Sequence, residues 1–127
     1  GYGASFVAQG TPADMQGLAS VIEEGIRFPG FAFVNVQSPC VTYGQEEQQL
    51  KAHKTGMQSL ASVGHDPADR LKAMALASEY GHKLYTGVFY RNPEPPPTYE
   101  AEARRRQEEA KAQARPKDRI LEMFRPQ

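Results

Sequence analysis

The sequence predicts an α/β fold with a mostly parallel sheet and a charged C-terminal helical tail. Three observations carry that expectation. Two short apolar runs, "ASFVAQ" and "FAFVNVQ", flank a stretch with helical spacing, which reads as a βαβ unit. A third run rich in Tyr, Val and Phe, "KLYTGVFYR", follows a second well-signalled helix. Beyond Asn92 the composition turns to proline and then to alternating charge.

The first strand is expected over Ala4 to Gln9. In "GTPADMQGLASVIEEGIRF", Thr11 is placed as the cap, Pro12 at the first helical position and Asp14 in the first turn. Met15, Leu18, Ala19, Ile22 and Ile26 share one helical face, and the breaker pair Pro29-Gly30 ends the helix. The run "FAFVNVQ" is almost continuously apolar, as expected of a strand covered on both faces. After it, "QEEQQLKAHK" reads as a solvated short helix or ordered loop, and "TGMQSLASVG" as a connector. The next helix is expected to be capped by Asp66, opened by Pro67, favoured by Asp69 and stopped at Gly81. Leu71, Met74, Ala75 and Ser78 form its weak inner face.

A boundary is expected near residue 92: residues 1–92 form the α/β part and 93–127 a spacer and tail. The run "EPPP" gives an extended, stiff spacer. A helix from Tyr99 to Ala114 follows by propensity, supported by the pairs Glu100–Arg104 and Glu102–Arg106. Pro116 breaks it, and "ILEMF" is a small apolar patch expected to dock on something.

Composition excludes several classes. At 127 residues the chain is at most one domain, and its 39% hydrophobic content suffices for a modest core. With 15 basic and 15 acidic residues there is no global field for nucleic acid or an anionic membrane. No apolar run is long enough to span a bilayer, and no signal peptide is visible. One cysteine rules out an internal disulfide framework and fits a reducing cytoplasm. The chain opens on "GYGASFVAQG" without a methionine, which reads as a fragment, a processed product or a partial gene.

Neither "GYGASF" nor "QGTPAD" has the strand–glycines–helix arrangement of a nucleotide-binding loop. His53, His65 and His82 share no ligand spacing with each other or with Cys40, so surface or capping roles are expected. Glutamates surround Arg104-Arg105-Arg106, which makes that run a solvated helix face. Cys40, in "QSPCVTYG", carries the most chemistry. Packing as a small buried hydrophobe, a nucleophile, or one ligand of a metal centre all remain open. Its place at the carboxyl end of a parallel strand, behind Pro39, is where open α/β sheets put their sites.

The segments "GASFVAQG", "DMQGLASVIEEGIRFPGFAFVNVQSPCVTYG", "DPADRLKAMALASEYG" and "LYTGVFYRNPEPPPTYE" together resemble the later part of the β subunit of 2-oxoacid:ferredoxin oxidoreductases, closest to the 2-oxoglutarate subgroup. The likeness spans roughly residues 1–100. It implies the C-terminal part of a thiamine-diphosphate-binding fold. It also implies an enzyme that converts a 2-oxoacid and coenzyme A to acyl-CoA, carbon dioxide and reduced ferredoxin, or the reverse. The implied cofactors are thiamine diphosphate with Mg2+, bound mainly by upstream residues, and a 4Fe–4S cluster. By the resemblance Cys40 matches the fourth cluster ligand. The implied partners are an α subunit, a γ subunit in complexes that carry one, the remainder of the β subunit and ferredoxin, in a cytoplasmic complex with no nucleic acid and no membrane. No Gly-Asp-Gly motif and no further cysteine occur in the chain, and Gly44 stands where many relatives have asparagine. The alternative is a non-catalytic α/β interaction module whose tail helix docks a partner, with Cys40 in its core.

Overall fold

The computed structural model describes residues 3–40, 42, 46–79, 83–113 and 123–124. It divides into two compact units, Gly1–Pro96 and Pro97–Gln127. The first holds β1 (Phe6–Gly10), α1 (Met15–Arg27), β2 (Ala32–Val36), α2 (Glu46–Gly56), β3 (Met57–Ser59), α3 (Arg70–Ser78) and β4 (Leu84–Arg91). The second holds α4 (Tyr99–Ala112).

The strands form one sheet in the order β2-β1-β4-β3. β1 pairs parallel with β2, Phe6 opposite Ala32 through Gly10 opposite Val36, so the expected βαβ unit is present. β3 and β4 are also parallel, while β4 runs antiparallel to β1. β3 replaces part of the expected connector. It has three residues and too little apolar content to signal a strand, and it is held by pairing with β4.

A bulge marks the central pairing. Ala8 lies opposite Val88 and Val7 opposite Tyr90, which leaves Phe89 as the extra residue. The consequence is that consecutive side chains, Phe89 and Tyr90, both join the cluster on one side of the sheet. Two residues earlier, Gly87 takes φ +112°, a conformation that a side chain would strain.

Each sheet face carries its own apolar cluster. On one side Phe6, Ala8, Leu18 and Val21 meet Phe28, Ala32, Val34 and Val88 beneath α1. On the other, Leu60, Ala73, Tyr85 and Phe89 meet Val7, Leu76 and Tyr90 beside α3. Fully burying a side chain such as Phe6 contributes roughly 1.5–3 kcal/mol. α1 comes close to the sheet because Gly25 faces it: a Cβ there would sit 3.1 Å from Val34 Cγ2.

Both helix starts and both inner faces differ from expectation. α1 is capped by Asp14, whose carboxylate accepts from the Gly17 N–H at 3.0 Å, not by Thr11. Thr11 is instead fully buried and serves the turn, accepting from the Ala13 N–H at 3.4 Å. The buried positions of α1 are Leu18, Val21 and Gly25, while Met15 (65% exposed), Ile22 and Ile26 (79%) face outward. The glycine allows the closest approach, and that rotates the contact face away from the bulkier stripe. α3 is capped by Asp69, which accepts from the Lys72 N–H at 2.9 Å. Asp66 caps only the preceding turn, through the Ala68 N–H. Ala73 is the buried residue of α3; Leu71 and Met74 are exposed, because the small residue is the one that fits against Tyr85 and Phe89. Gly81, His82, Pro116 and most of "ILEMF" lie outside the described residues, and Met123 and Phe124 are exposed. β2 is not covered on both faces as its composition predicts: Phe33 is 51% and Val36 42% exposed.

In the second unit, Thr98 caps α4 by accepting from the Ala101 N–H at 3.2 Å. Glu102 is held by Arg106 at 2.9 Å, the expected pair, and also by Arg105 at 2.8 Å, which reaches on to Glu109. Hydrogen bonds from Arg105 and then Arg106 lower the Glu102 carboxyl from 4.5 to about 2. A depressed carboxylate pKa stabilises the helix above pH 4.5, and the effect is lost as pH falls towards 2. An NMR titration of Glu102 is expected to show a midpoint near 2. In the Arg105→Ala/Arg106→Ala double variant that midpoint moves up towards the ordinary glutamate range.

Candidate functional site

The carboxyl ends of β1 and β2 bring the polar residues of the sheet together. Gln9 is buried in the middle strand, where an unsatisfied amide would be costly. Its Nε2 donates to the Tyr85 carbonyl of β4 at 2.8 Å. Its Oε1 accepts from Asn35 Nδ2 of β2 at 2.8 Å and from Gln37 Nε2 at 3.4 Å. One side chain thus ties three adjacent strands, and the Gln37 N–H adds a bond to the Gly10 carbonyl at 2.8 Å. Only Ser38 and Pro39 separate this amide ladder from Cys40.

Cys40 is exposed, which sets aside its reading as a core hydrophobe. It sits four residues past the end of β2, a parallel strand, at the edge where an open α/β sheet offers a site. Among the described residues no group of three or more His, Cys, Asp or Glu side chains is arranged to hold a metal ion.

Two hollows flank the sheet within the first unit. One, of about 490 Å³, lies on the α3 side over β1 and β2 and is lined by Phe33, Asn35, Gln37, Gln9, Tyr85 and Lys83 among others. Lys83 at its rim pairs with Glu79 at 3.1 Å and lies 3.3 Å from the Tyr85 hydroxyl. Glu79 first, then Tyr85, raise the Lys83 pKa, so its ammonium charge is secure. The other hollow, of about 560 Å³, lies beside α1 and includes Thr86, Glu24, Arg91 and His65. Arg91 pairs with Glu24 and stacks on the Phe6 ring, its guanidinium carbon 5.5 Å from the ring centre.

The histidines do not all take the surface or capping roles expected of them. His65 is buried, its Nε2 2.7 Å from the Phe89 carbonyl, which makes Nε2 the protonated nitrogen. It packs the turn before α3 against the bulge of β4. Local sequence holds no sign of this, because the acceptor lies 24 residues away. His53 Nδ1 lies 3.1 Å from the Thr11 hydroxyl and ties α2 to the turn after β1. The Gln9 ladder is equally invisible in the sequence: glutamine in an apolar strand reads as an ordinary interruption until its partners on two other strands are known.

Comparison with known proteins fits this geometry. A family model for the C-terminal region of the pyruvate ferredoxin oxidoreductase β subunit matches residues 40–108. The chain belongs to that family. The match begins at Cys40 and takes in α2, β3, α3, β4 and the first turns of α4. The chain is 28% identical over 99 residues to the 2-oxoacid:ferredoxin oxidoreductase subunit beta of Saccharolobus solfataricus, covering 71% of this chain and 32% of that protein. It is 29% identical over 94 residues to the 2-oxoglutarate synthase subunit KorB of Methanothermobacter thermautotrophicus, covering 73% of this chain and 32% of that one. Among solved structures it is similar to the 2-oxoglutarate:ferredoxin oxidoreductase from Magnetococcus marinus with 2-oxoglutarate, coenzyme A and succinyl-CoA bound. The TM-score is 0.77 at 27% identity, over 98% of this chain and 42% of that chain. The chain thus corresponds to the C-terminal portion of a 2-oxoacid:ferredoxin oxidoreductase β subunit, and spans about a third of the length of these curated relatives.

Replacing Gln9 by Leu removes the donor to the Tyr85 carbonyl and the acceptor shared by Asn35 and Gln37. A loss of about 1–3 kcal/mol in unfolding free energy is expected, read from the denaturant midpoint.

Proposed function

We propose that this chain is part of the β subunit of a thiamine-diphosphate-dependent 2-oxoacid:ferredoxin oxidoreductase, acting on 2-oxoglutarate or a related acid. In that reading the complex decarboxylates the 2-oxoacid oxidatively onto coenzyme A and passes the electrons to ferredoxin, or runs in reverse. The observation that carries the reading is the place of Cys40: an exposed thiol at the carboxyl edge of a parallel pair, where the family match begins.

The chain's own residues fit one part of the cofactor set. Cys40 would supply one thiolate to a 4Fe–4S cluster whose remaining ligands come from sequence outside this chain, and a cluster held there would provide one-electron transfer. Gln9, Asn35 and Gln37 fix the end of β2 and hence the point from which Cys40 projects. Pro39 restricts the backbone that enters the loop. The residues do not fit thiamine diphosphate or Mg2+: no Gly-Asp-Gly motif is present, so the diphosphate is assigned to upstream residues. In this reading the enzyme is made whole by the α subunit, by a γ subunit in complexes that carry one, and by the rest of the β subunit. A cytoplasmic setting suits a solvent-facing thiolate ligand. No helix among the described residues is long and apolar enough to cross a membrane.

In the assembled enzyme, Cys40→Ala is expected to bleach the visible absorption of the cluster and to abolish ferredoxin reduction, with the subunits still associated. Full retention of the cluster, measured by its absorption and iron content, would remove Cys40 from the ligand set.

A further inference from the structure

The segment that bears Cys40 is tied to one turn at both of its ends. At the near end the Gln37 N–H donates to the Gly10 carbonyl at 2.8 Å. At the far end His53 of α2 places its Nδ1 3.1 Å from the hydroxyl of Thr11, the next residue of the same turn. Cys40 lies between the two ties.

The turn is a firm mount. Thr11 is fully buried, its carbonyl accepts from the Asp14 N–H at 3.0 Å and its hydroxyl from the Ala13 N–H at 3.4 Å. A hydroxyl that accepts in this way keeps its own proton for a further acceptor. α2, by contrast, is not seated by burial. Its sequence, EEQQLKAHKTG, holds one large apolar residue, Leu50, which is half-buried. Its carboxyl end runs straight into β3, whose Met57 pairs with Leu84. That junction holds one end of the helix and sets no direction for the rest. A directed bond about one turn before the junction does set it, and His53 stands there. A histidine on a purely solvated helix face would leave its ring to water; His53 is half-buried and meets a buried hydroxyl instead.

We infer that His53 is a positioning residue for the proposed cluster ligand: with Thr11 it forms a clasp that fixes the far end of the Cys40 segment, as Gln37 fixes the near end. The inference rests on the β-subunit reading and gives a role to two residues which that reading leaves without one. A segment held at one end swings about it. Held at both ends on one rigid turn, it presents its thiolate in one place.

The test is made in the assembled enzyme. His53→Phe keeps the bulk of the ring and removes the bond. It is expected to leave subunit association and the initial iron content unchanged and to alter the electron paramagnetic resonance line shape of the reduced cluster. Loss of the cluster to a chelator is expected to quicken by about fivefold, the factor that one net hydrogen bond of typical strength supplies. His53→Asn, whose amide ends close to the place of Nδ1, is expected to restore the wild-type line shape and rate. His53→Gln, which reaches towards the place of Nε2, is not. Thr11→Val removes the hydroxyl from the other side and is expected to match His53→Phe, with the double variant no worse than either. Thr11→Ser keeps the hydroxyl and is expected to behave as the wild type. Wild-type line shape and rate in His53→Phe overturn the inference. So does His53→Asn that behaves like His53→Phe, or a double variant whose effects add. Should Thr11→Val fail to assemble, the contrast between His53→Phe and His53→Asn decides alone. A full cluster in Cys40→Ala removes the ligand reading and the clasp's role with it. Loss of the cluster in Cys40→Ala beside an unchanged His53→Phe rejects the clasp and leaves the ligand reading standing.

Discussion

The structure turns on one buried amide. Gln9 sits in β1 between apolar neighbours, Ala8 on one side and a glycine on the other, in the strand that pairs with both β2 and β4. A carboxamide there has two ways to be tolerated: reach water, or find partners on the flanking strands. It does the second, with Tyr85 on β4 and Asn35 on β2, and its geometry works only if β1 and β4 hold their shifted register. The bulge that sets this register also turns Phe89 and Tyr90 to one face, and the Phe89 carbonyl is what His65 binds. Strand register, the α3-side core and the turn before α3 are therefore linked through one polar side chain and its surroundings.

The same constraint reaches the proposed cluster ligand. A thiolate that shares a metal with donors from distant sequence has to project from a fixed point, since a small misplacement would leave the coordination shell incomplete. Anchorage for the loop after β2 comes from the Gln37 end of the amide ladder and from the Gln37 N–H on Gly10, three residues before the thiol. An amide ladder suits this place better than an ion pair. It carries no net charge to offset the electrostatics of a cluster, and neutral hydrogen bonds at the centre of a sheet avoid the desolvation cost of buried ions.

What is legible in the sequence follows from strong local signals. The βαβ unit shows because "FVAQG" and "FVNV" are apolar runs separated by a capped amphipathic stretch, and β4 shows through its aromatic and β-branched content. The tail helix and the Glu102–Arg106 pair follow from propensity and spacing alone. Features decided by tertiary contact are not legible. Bulk points to the wrong face of α1, because Gly25 against Val34 decides the contact. The caps move because Thr11 and Asp66 satisfy turns that precede the helices, and the true caps, Asp14 and Asp69, each stand three residues further on. Cys40 can be singled out but not placed, since exposure is a property of the fold and not of the tripeptide around it.

The helices divide the sheet in a way that bears on how the chain meets its surroundings. α1 lies over β1 and β2 on one face, and α3 lies against β4 on the other, so each face is half covered within the first unit. The outer stripe of α1, Met15, Ile22 and Ile26, adds apolar surface that the chain's own core does not use. Scattered exposed apolar residues need no explanation, but a stripe at helical spacing beside an unprotected apolar strand does. These features have a common physical cause if the sequence was selected in a larger fold. Residues that pack against further layers keep their bulk and lack charge, whereas β3, with Gln58 and Ser59 exposed, has the composition of a surface that stays in water.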